Sequence, residues 1–192
     1  MLIDAGENDK GRSVVSYLQQ NGVTSLDYII GTHPHSDHIG GLDDVIEAFD
    51  VEKIIMPPKE HTTATFEDVL DAIAEKGLTI TKPVPGDSYS LGEAQFTILS
   101  PQKNYGDDLN NWSVGIRLSY GDNAFVMCGD AESKAEQDIV DSGLILSADV
   151  LKAGHHGSRT STSSAFLKAV SPSSPLSSAG RTIPTVIPTR KP

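Results

Sequence analysis

His33-Pro34-His35-Ser36-Asp37-His38 sets three histidines and an aspartate within six residues. Neutral imidazole is the commonest metal ligand, and a carboxylate is its usual oxygen partner. The stretch follows the apolar run Leu26-Asp27-Tyr28-Ile29-Ile30 and precedes Ile39-Gly40-Gly41-Leu42. That order reads as a strand, a ligand loop and a helix. A loop at a strand end can aim several short side chains at one point, which a buried helix face cannot. A turn capped by Asp37 is the weaker reading.

Further out, three more polar residues follow apolar runs. Asp4 follows Leu2-Ile3, Asp130 follows Met127-Cys128-Gly129, and His155 follows Leu151-Lys152-Ala153-Gly154. Each has a small residue beside it, which lets backbone approach a metal closely. Helical spacing of apolar residues predicts helices over 13–20, 42–48, 66–76, 133–140 and 163–170. Strands are expected at 2–3, 26–31, 53–56, 96–99, 113–120, 124–128 and 149–152, with Gly121-Asp122-Asn123 as a hairpin turn. Helix and strand alternate early and strands dominate later, so the class is α/β or α+β with layered sheets.

At 192 residues, with 38% hydrophobic and 21% charged residues, the chain can bury a core of its own. The net charge of −11 argues against a broad electrostatic grip on nucleic acid, although a metal site would supply its own positive charge. The single cysteine, Cys128, excludes an internal disulfide and a cysteine-based zinc site. Within Ala124-Phe125-Val126-Met127-Cys128 it reads as a buried, inert thiol. No run is long enough to span a membrane, and no signal peptide is visible. Localisation and oligomeric state stay open.

The six-residue loop, Gly129-Asp130-Ala131-Glu132 and Lys152-Ala153-Gly154-His155-His156-Gly157-Ser158 together resemble the metallo-β-lactamase superfamily, in particular its ComEC-like branch. The loop matches the His-x-His-x-Asp-His signature at every ligand position, and the resemblance covers nearly the whole chain. It implies a four-layered αββα sandwich with two divalent ions, zinc or manganese, at one sheet edge. His33 and His35 would then bind the first ion. Asp37, His38 and His155 would bind the second, with Asp130 bridging. His155 is preferred to His156 because the family's last ligand follows a glycine. Asp4 would orient a ligand without touching metal. His156 would be a supporting or substrate-side residue.

The resemblance implies a hydrolase in which water between two cations becomes hydroxide. Asp37 would also orient that nucleophile. Lys152, Ser158, Arg159 and Thr160 put a cation, a guanidinium and hydroxyls beside His155 and before a helix N-terminus. Phosphodiester cleavage, with single-stranded DNA as a candidate substrate, is therefore expected. Asn111 is a candidate substrate contact or a turn former. A phosphorylcholine esterase, lactonase or β-lactamase activity is the rival, as is a metal-binding domain without turnover. Relatives are extracytoplasmic or membrane-associated. Most of the superfamily has a further histidine on the first ion, where this chain reads Asn110-Asn111-Trp112-Ser113. Fewer nitrogen ligands make manganese a serious candidate. Trp112 reads as packing, and His61 as a solvated loop residue.

Both ends depart from the family pattern. A hairpin expected before Leu2 is absent, and the expected domain runs over 1–170. The tail over 171–192, rich in Ser, Pro and Thr, has no core pattern. One permissive back-translation of 180–191, read in a shifted frame, gives Lys-Asp-Asn-Thr-Tyr-Gly-His-Pro-His-Glu-Lys. That resembles the family's usual ending. It leads to the expectation of a single-base deletion near the codon for Ser174, with a final strand lost; the gene's nucleotides decide it.

Overall fold

Isoleucine pairs explain the layering. Ile29-Ile30 and Ile54-Ile55 are all fully buried, with one residue of each pair facing helices and the other facing a second sheet. A strand covered on both faces reads as a continuous apolar run, as parallel strands do. The computed structural model describes residues 1–176. The residues beyond 176, including those on which the shifted-frame reading rests, lie outside the described residues.

The first sheet is parallel, in order β1 (Leu2–Ile3), β2 (Ser25–Ile30), β3 (Asp50–Ile55) and β4 (Ile80–Thr81). Its outer face carries α1 (Gly11–Gln20), α3 (Leu42–Ala48) and α4 (Ala64–Glu75), and a one-turn helix α2 (Ser36–Ile39) opens within the histidine stretch. Thr63 caps α4 by accepting from Phe66 N. α1 and α3 approach closely because both contacts are glycines: a methyl on Gly41 would stand 2.6 Å from Gly11 Cα.

The second sheet holds β5 (Ser88–Leu91), β6 (Ala94–Ser100), β7 (Gly115–Tyr120), β8 (Asn123–Met127), β9 (Val150–Lys152) and β10 (Ser174–Leu176), in the order 10-9-8-7-6-5. Strands β5 to β8 are antiparallel, and β9 runs parallel to both β8 and β10. Helices α5 (Ser133–Asp141) and α6 (Ser164–Val170) cover its outer face. Ile30 and Ile55 meet Phe96, Ile98, Val114 and Ile116 between the sheets. Each such buried side chain contributes about 1.5–3 kcal/mol. The result is the expected four-layered αββα sandwich.

The short strands β4, β5 and β10 were not expected, because none carries a distinctive apolar pattern. β10 lies inside the stretch read as irregular, and its pairing with β9 supplies its order: Ala153 N donates to Leu176 O at 2.6 Å. Among the described residues, no helix is long and apolar enough to cross a membrane. Burial pushes the Cys128 thiol pKa well up, which keeps it an inert thiol.

Candidate metal centre

Four strand ends converge at one edge of the sandwich. Asp4 ends β1, the 32–38 loop ends β2, Asp130 follows β8, and His155 and His156 follow β9. Backbone bonds stitch these ends together: Asp4 N to Ile30 O, Val114 N to Thr32 O, and His155 N to Gly129 O. Gly129 has a left-handed φ of 52°, and a methyl there would stand 2.9 Å from Ser113 Oγ and from Thr32 Cβ. Glycine is therefore what allows Asp130 to sit against the histidine loop.

Asp4 sets the proton positions. Its Oδ1 accepts from Thr32 N at 2.8 Å, and its Oδ2 accepts from Thr32 Oγ1 at 2.8 Å and from His38 Nδ1 at 2.7 Å. A carboxylate only accepts, so both partners must donate. Thr32 Oγ1 then accepts from His33 Nδ1, 3.0 Å away. Both rings are left with Nε2 pointing into the site, free of the supporting bonds. The bonds of Asp4 thus fix the setting of both rings.

The inward atoms form two groups. In the first, His33 Nε2 and His35 Nδ1 are 3.0 Å apart. In the second, Asp37, His38, Asp130 and His156 each offer an atom within 4.8 Å of the others. There His38 Nε2 is 3.3 Å from His156 Nε2 and 3.1 Å from Asp130 Oδ2. His156 Nε2 is 3.1 Å from Asp37 Oδ2. Two nitrogens at usual zinc distance stand about 2.9 Å apart at a right angle on the ion and about 3.3 Å at the tetrahedral angle. Both observed nitrogen pairs match that span. Asp130 is buried, and its Oδ1 is buried without a hydrogen-bond partner while its Oδ2 lies in the second group. A buried carboxylate oxygen without a partner is costly, and a cation satisfies it. The donor set fits divalent metal.

The electrostatics agree. Burial, then repulsion from His38, pushes the His33 pKa down to about 2, so the ring is neutral. Burial alone would depress His38, but hydrogen bonds to Asp130 and Asp4 outweigh it and push its pKa up to about 10. Burial alone would raise Asp130, but the His38 bond and the nearby imidazoles bring it to about 2. In the metal-free protein a proton on His38 Nε2 thus occupies the position that a cation would take.

Several expected contacts are revised. His156, not His155, completes the second group. Both residues have left-handed backbones, φ 46° and 52°, and the tight turn sends them in different directions. His155 Nδ1 instead faces Glu132 Oε1 and Thr160 Oγ1, each at 3.1 Å, and its Nε2 stands 4.0 Å from Asp130 Oδ2. Ser158 and Thr160 join that network: their hydroxyls are 3.0 Å apart, and Thr160 Oγ1 donates to Glu132 at 2.8 Å. Asn111 is buried and committed internally. Its Oδ1 accepts from Glu132 N and Ala135 N, and its Nδ2 donates to Asp108. The expected phosphate site at the last helix is filled by buried Glu136, which accepts from Thr162 N at 2.5 Å and Ser163 N at 2.7 Å. Lys152 stands beside the centre. It lines a cavity of about 230 Å³ with Asp37, His38, His156 and the apolar Ile3 and Met127. Trp112 is packed, as expected. Thr32, Ser113 and Glu132 were missed; each is an ordinary Thr, Ser or Glu whose role depends on a distant partner. The one available signal was Thr32's place beside the histidine stretch.

A family model described as the metallo-beta-lactamase superfamily matches residues 1–180. The chain belongs to the metallo-beta-lactamase superfamily. Within this superfamily, it is 32% identical over 168 residues to ComE operon protein 3 of Bacillus subtilis, covering 88% of this chain and 22% of that protein. It is 30% identical over 193 residues to Recombination protein 2 of Haemophilus influenzae, covering 98% and 22%. These matches are consistent with the ComEC-like branch. The chain spans about a fifth of the length of these curated relatives. A Vibrio vulnificus hydroxyacylglutathione hydrolase 2 is 28% identical over 130 residues, covering 67% of this chain and 40% of that enzyme. A metallo-beta-lactamase structure from Cronobacter sakazakii superposes with a TM-score of 0.55 at 12% identity, covering 78% of this chain and 62% of that one, a likeness of fold. The superfamily fold is hydrolase-like, and the site described above is a candidate for divalent metal.

Proposed function

We propose that this chain is a two-metal-ion phosphodiesterase that acts on a nucleic-acid strand. The observation that carries the reading is Asp130, a buried carboxylate with one oxygen in the Asp37–His38–His156 group and the other without a protein partner. His33, His35 and Asp130 would hold one ion, and Asp37, His38, Asp130 and His156 the other, zinc or manganese in either case. Bound there, such ions supply Lewis acidity and lower the pKa of water.

The chain's own residues do the rest. Asp37 has a half-open side chain at the cavity and can orient the attacking water while its Oδ2 stays beside His156. Lys152 lines the same cavity and would offer a cation to phosphate charge there. Ile3 and Met127 form an apolar wall that limits water beside the reacting group. The name of Recombination protein 2 supports a DNA strand as substrate. With a net charge of −11, the grip on such a strand is local to this cavity.

The test is hydrolysis of bis(p-nitrophenyl) phosphate and of end-labelled single-stranded DNA, with manganese or zinc added, by the wild type and Asp130→Asn. Metal-dependent cleavage of both substrates, reduced to background in the variant, is the expected result. The similarity to a hydroxyacylglutathione hydrolase favours a second reading, a thioester hydrolase. Thioester turnover with intact phosphodiesters would establish that reading and end the first.

A further inference from the structure

We infer that His61 supplies a third imidazole to the ion at His33 and His35, reaching it from the loop between β3 and α4. The inference rests on the two-ion reading above. Of the six histidines in the chain, five sit at strand ends of the centre, and His61 is the sixth. Its ring lies beside that of His35, with centroids 6.4 Å apart and planes nearly perpendicular.

Ring spacing defines what this position can do. A metal about 2.05 Å from a ring nitrogen lies about 3.2 Å from the ring centroid, so two rings on one ion stand about 4.5–5.2 Å apart at ordinary angles and up to about 6.4 Å when opposed. The pairs already assigned to a shared ion obey this: His33 and His35 are 4.8 Å apart, and His38 and His156 are 5.1 Å apart. His61 stands at the outer limit from His35, and a side-chain movement of about 1 Å brings it into the ordinary range.

Distance alone does not select it, since His155 stands 6.3 Å from His156. Donor counts make the difference. The second ion already has four protein residues, Asp37, His38, Asp130 and His156. The first has His33 and His35, and on the two-ion reading the unpartnered oxygen of Asp130 as well, which would leave it one short of a tetrahedron.

The loop also prepares the right nitrogen. His61 Nδ1 is 3.1 Å from Thr63 Oγ1, which already accepts from Phe66 N at the start of α4. With Nδ1 engaged by that hydroxyl, Nε2 is the ring nitrogen left for an ion, as it is in His33 and His38. Pro57-Pro58 stiffens the approach, and Lys59 pins the loop through a 3.0 Å bond to Asp107, just before Asn110.

The test is titration of the metal-free chain, residues 1–192, with cobalt(II) against a competing chelator, following ion count, affinity and the visible cobalt spectrum. The variants are His61→Ala and His61→Phe; the second keeps the ring and loses the nitrogens. The expected result is two ions in the wild type. In both variants one ion binds at least about tenfold more weakly with a changed spectrum, while the other ion and the metal-free melting temperature stay unchanged. Two ions with unchanged affinities and spectrum in both variants overturn the role of His61 alone. Weakening in Asn110→Ala but in neither His61 variant assigns the position to Asn110, whose buried Oδ1 lacks a partner, and also overturns it. Fewer than two ions in the wild type overturns the two-ion reading and this inference together.

Discussion

Replacing Asp4 by Asn tests the proton-setting chain with little change of shape. The backbone of Asp4 is left-handed, φ 58°, which Asn tolerates about as well as Asp. What changes is one acceptor oxygen. Thr32 N–H can only donate, so the amide oxygen of the variant must remain opposite it. The amide nitrogen then takes the other position and donates to Thr32 Oγ1 and to His38 Nδ1. His38 Nδ1 becomes an acceptor, so the ring keeps one proton, on Nε2, the atom facing Asp37, Asp130 and His156; in the wild type that proton can leave to an incoming ion because Nδ1 stays protonated against Asp4. A protonated Nε2 cannot bind metal. Loss of such an orienting partner costs about 10–100-fold in metal affinity, which is about 1.4–2.7 kcal/mol. Losing hydrogen bonds to a charged acceptor costs the metal-free protein about 1.5–3 kcal/mol. Zinc titration against a chelator measures the first effect and urea unfolding the second, and nitrogen NMR of the imidazoles reports the His38 tautomer. Wild-type zinc affinity with an unprotonated His38 Nε2 in the variant would refute the reasoning.

The turn after β9 separates two neighbouring histidines: His156→Ala should lose one bound ion by elemental analysis, whereas His155→Ala should keep both. The pH dependence of the metal-free protein follows from the His38–Asp130 pair. His38, raised from 6.5 to about 10, stabilises fully below 6.5 and ceases to as pH rises through 10. Asp130, lowered from 3.8 to about 2, stabilises fully above 3.8 and ceases to as pH falls through 2. Melting temperature scanned from acid to alkali should therefore peak between those limits, and His38→Gln should flatten the alkaline decline; an unaltered decline in the variant contradicts the assignment. Gly41→Ala should cost about 1–3 kcal/mol in urea unfolding, because the new methyl would stand 2.6 Å from Gly11 Cα and 2.9 Å from Ala5 O. An unchanged midpoint would mean that α1 and α3 separate freely.

Local chemistry was legible without coordinates. Apolar runs around Ile29-Ile30 and Ile54-Ile55 marked strands buried on both faces, because doubly covered strands leave no room for alternation. The 33–38 stretch marked a ligand loop, because its donors are crowded within one turn of chain. The strand ends at Asp4 and Asp130 were visible for the same reason, as a polar residue closing an apolar run. Tertiary structure alone decided which atoms share a site. His156 meets Asp37 across 119 positions of sequence, and the choice between His155 and His156 depends on two left-handed residues that no periodicity reveals. Asn111, Ser158 and Thr160 look like substrate contacts in sequence, yet Glu132, Ala135 and Asp108 engage the Asn111 side chain, and Thr160 Oγ1 lies between Glu132 and Ser158. Glu136 closes the N-terminus of α6 from another helix. Strand periodicity is written along the chain by local burial, whereas ligand geometry depends on distances between remote segments, which come into being only when the two sheets pack.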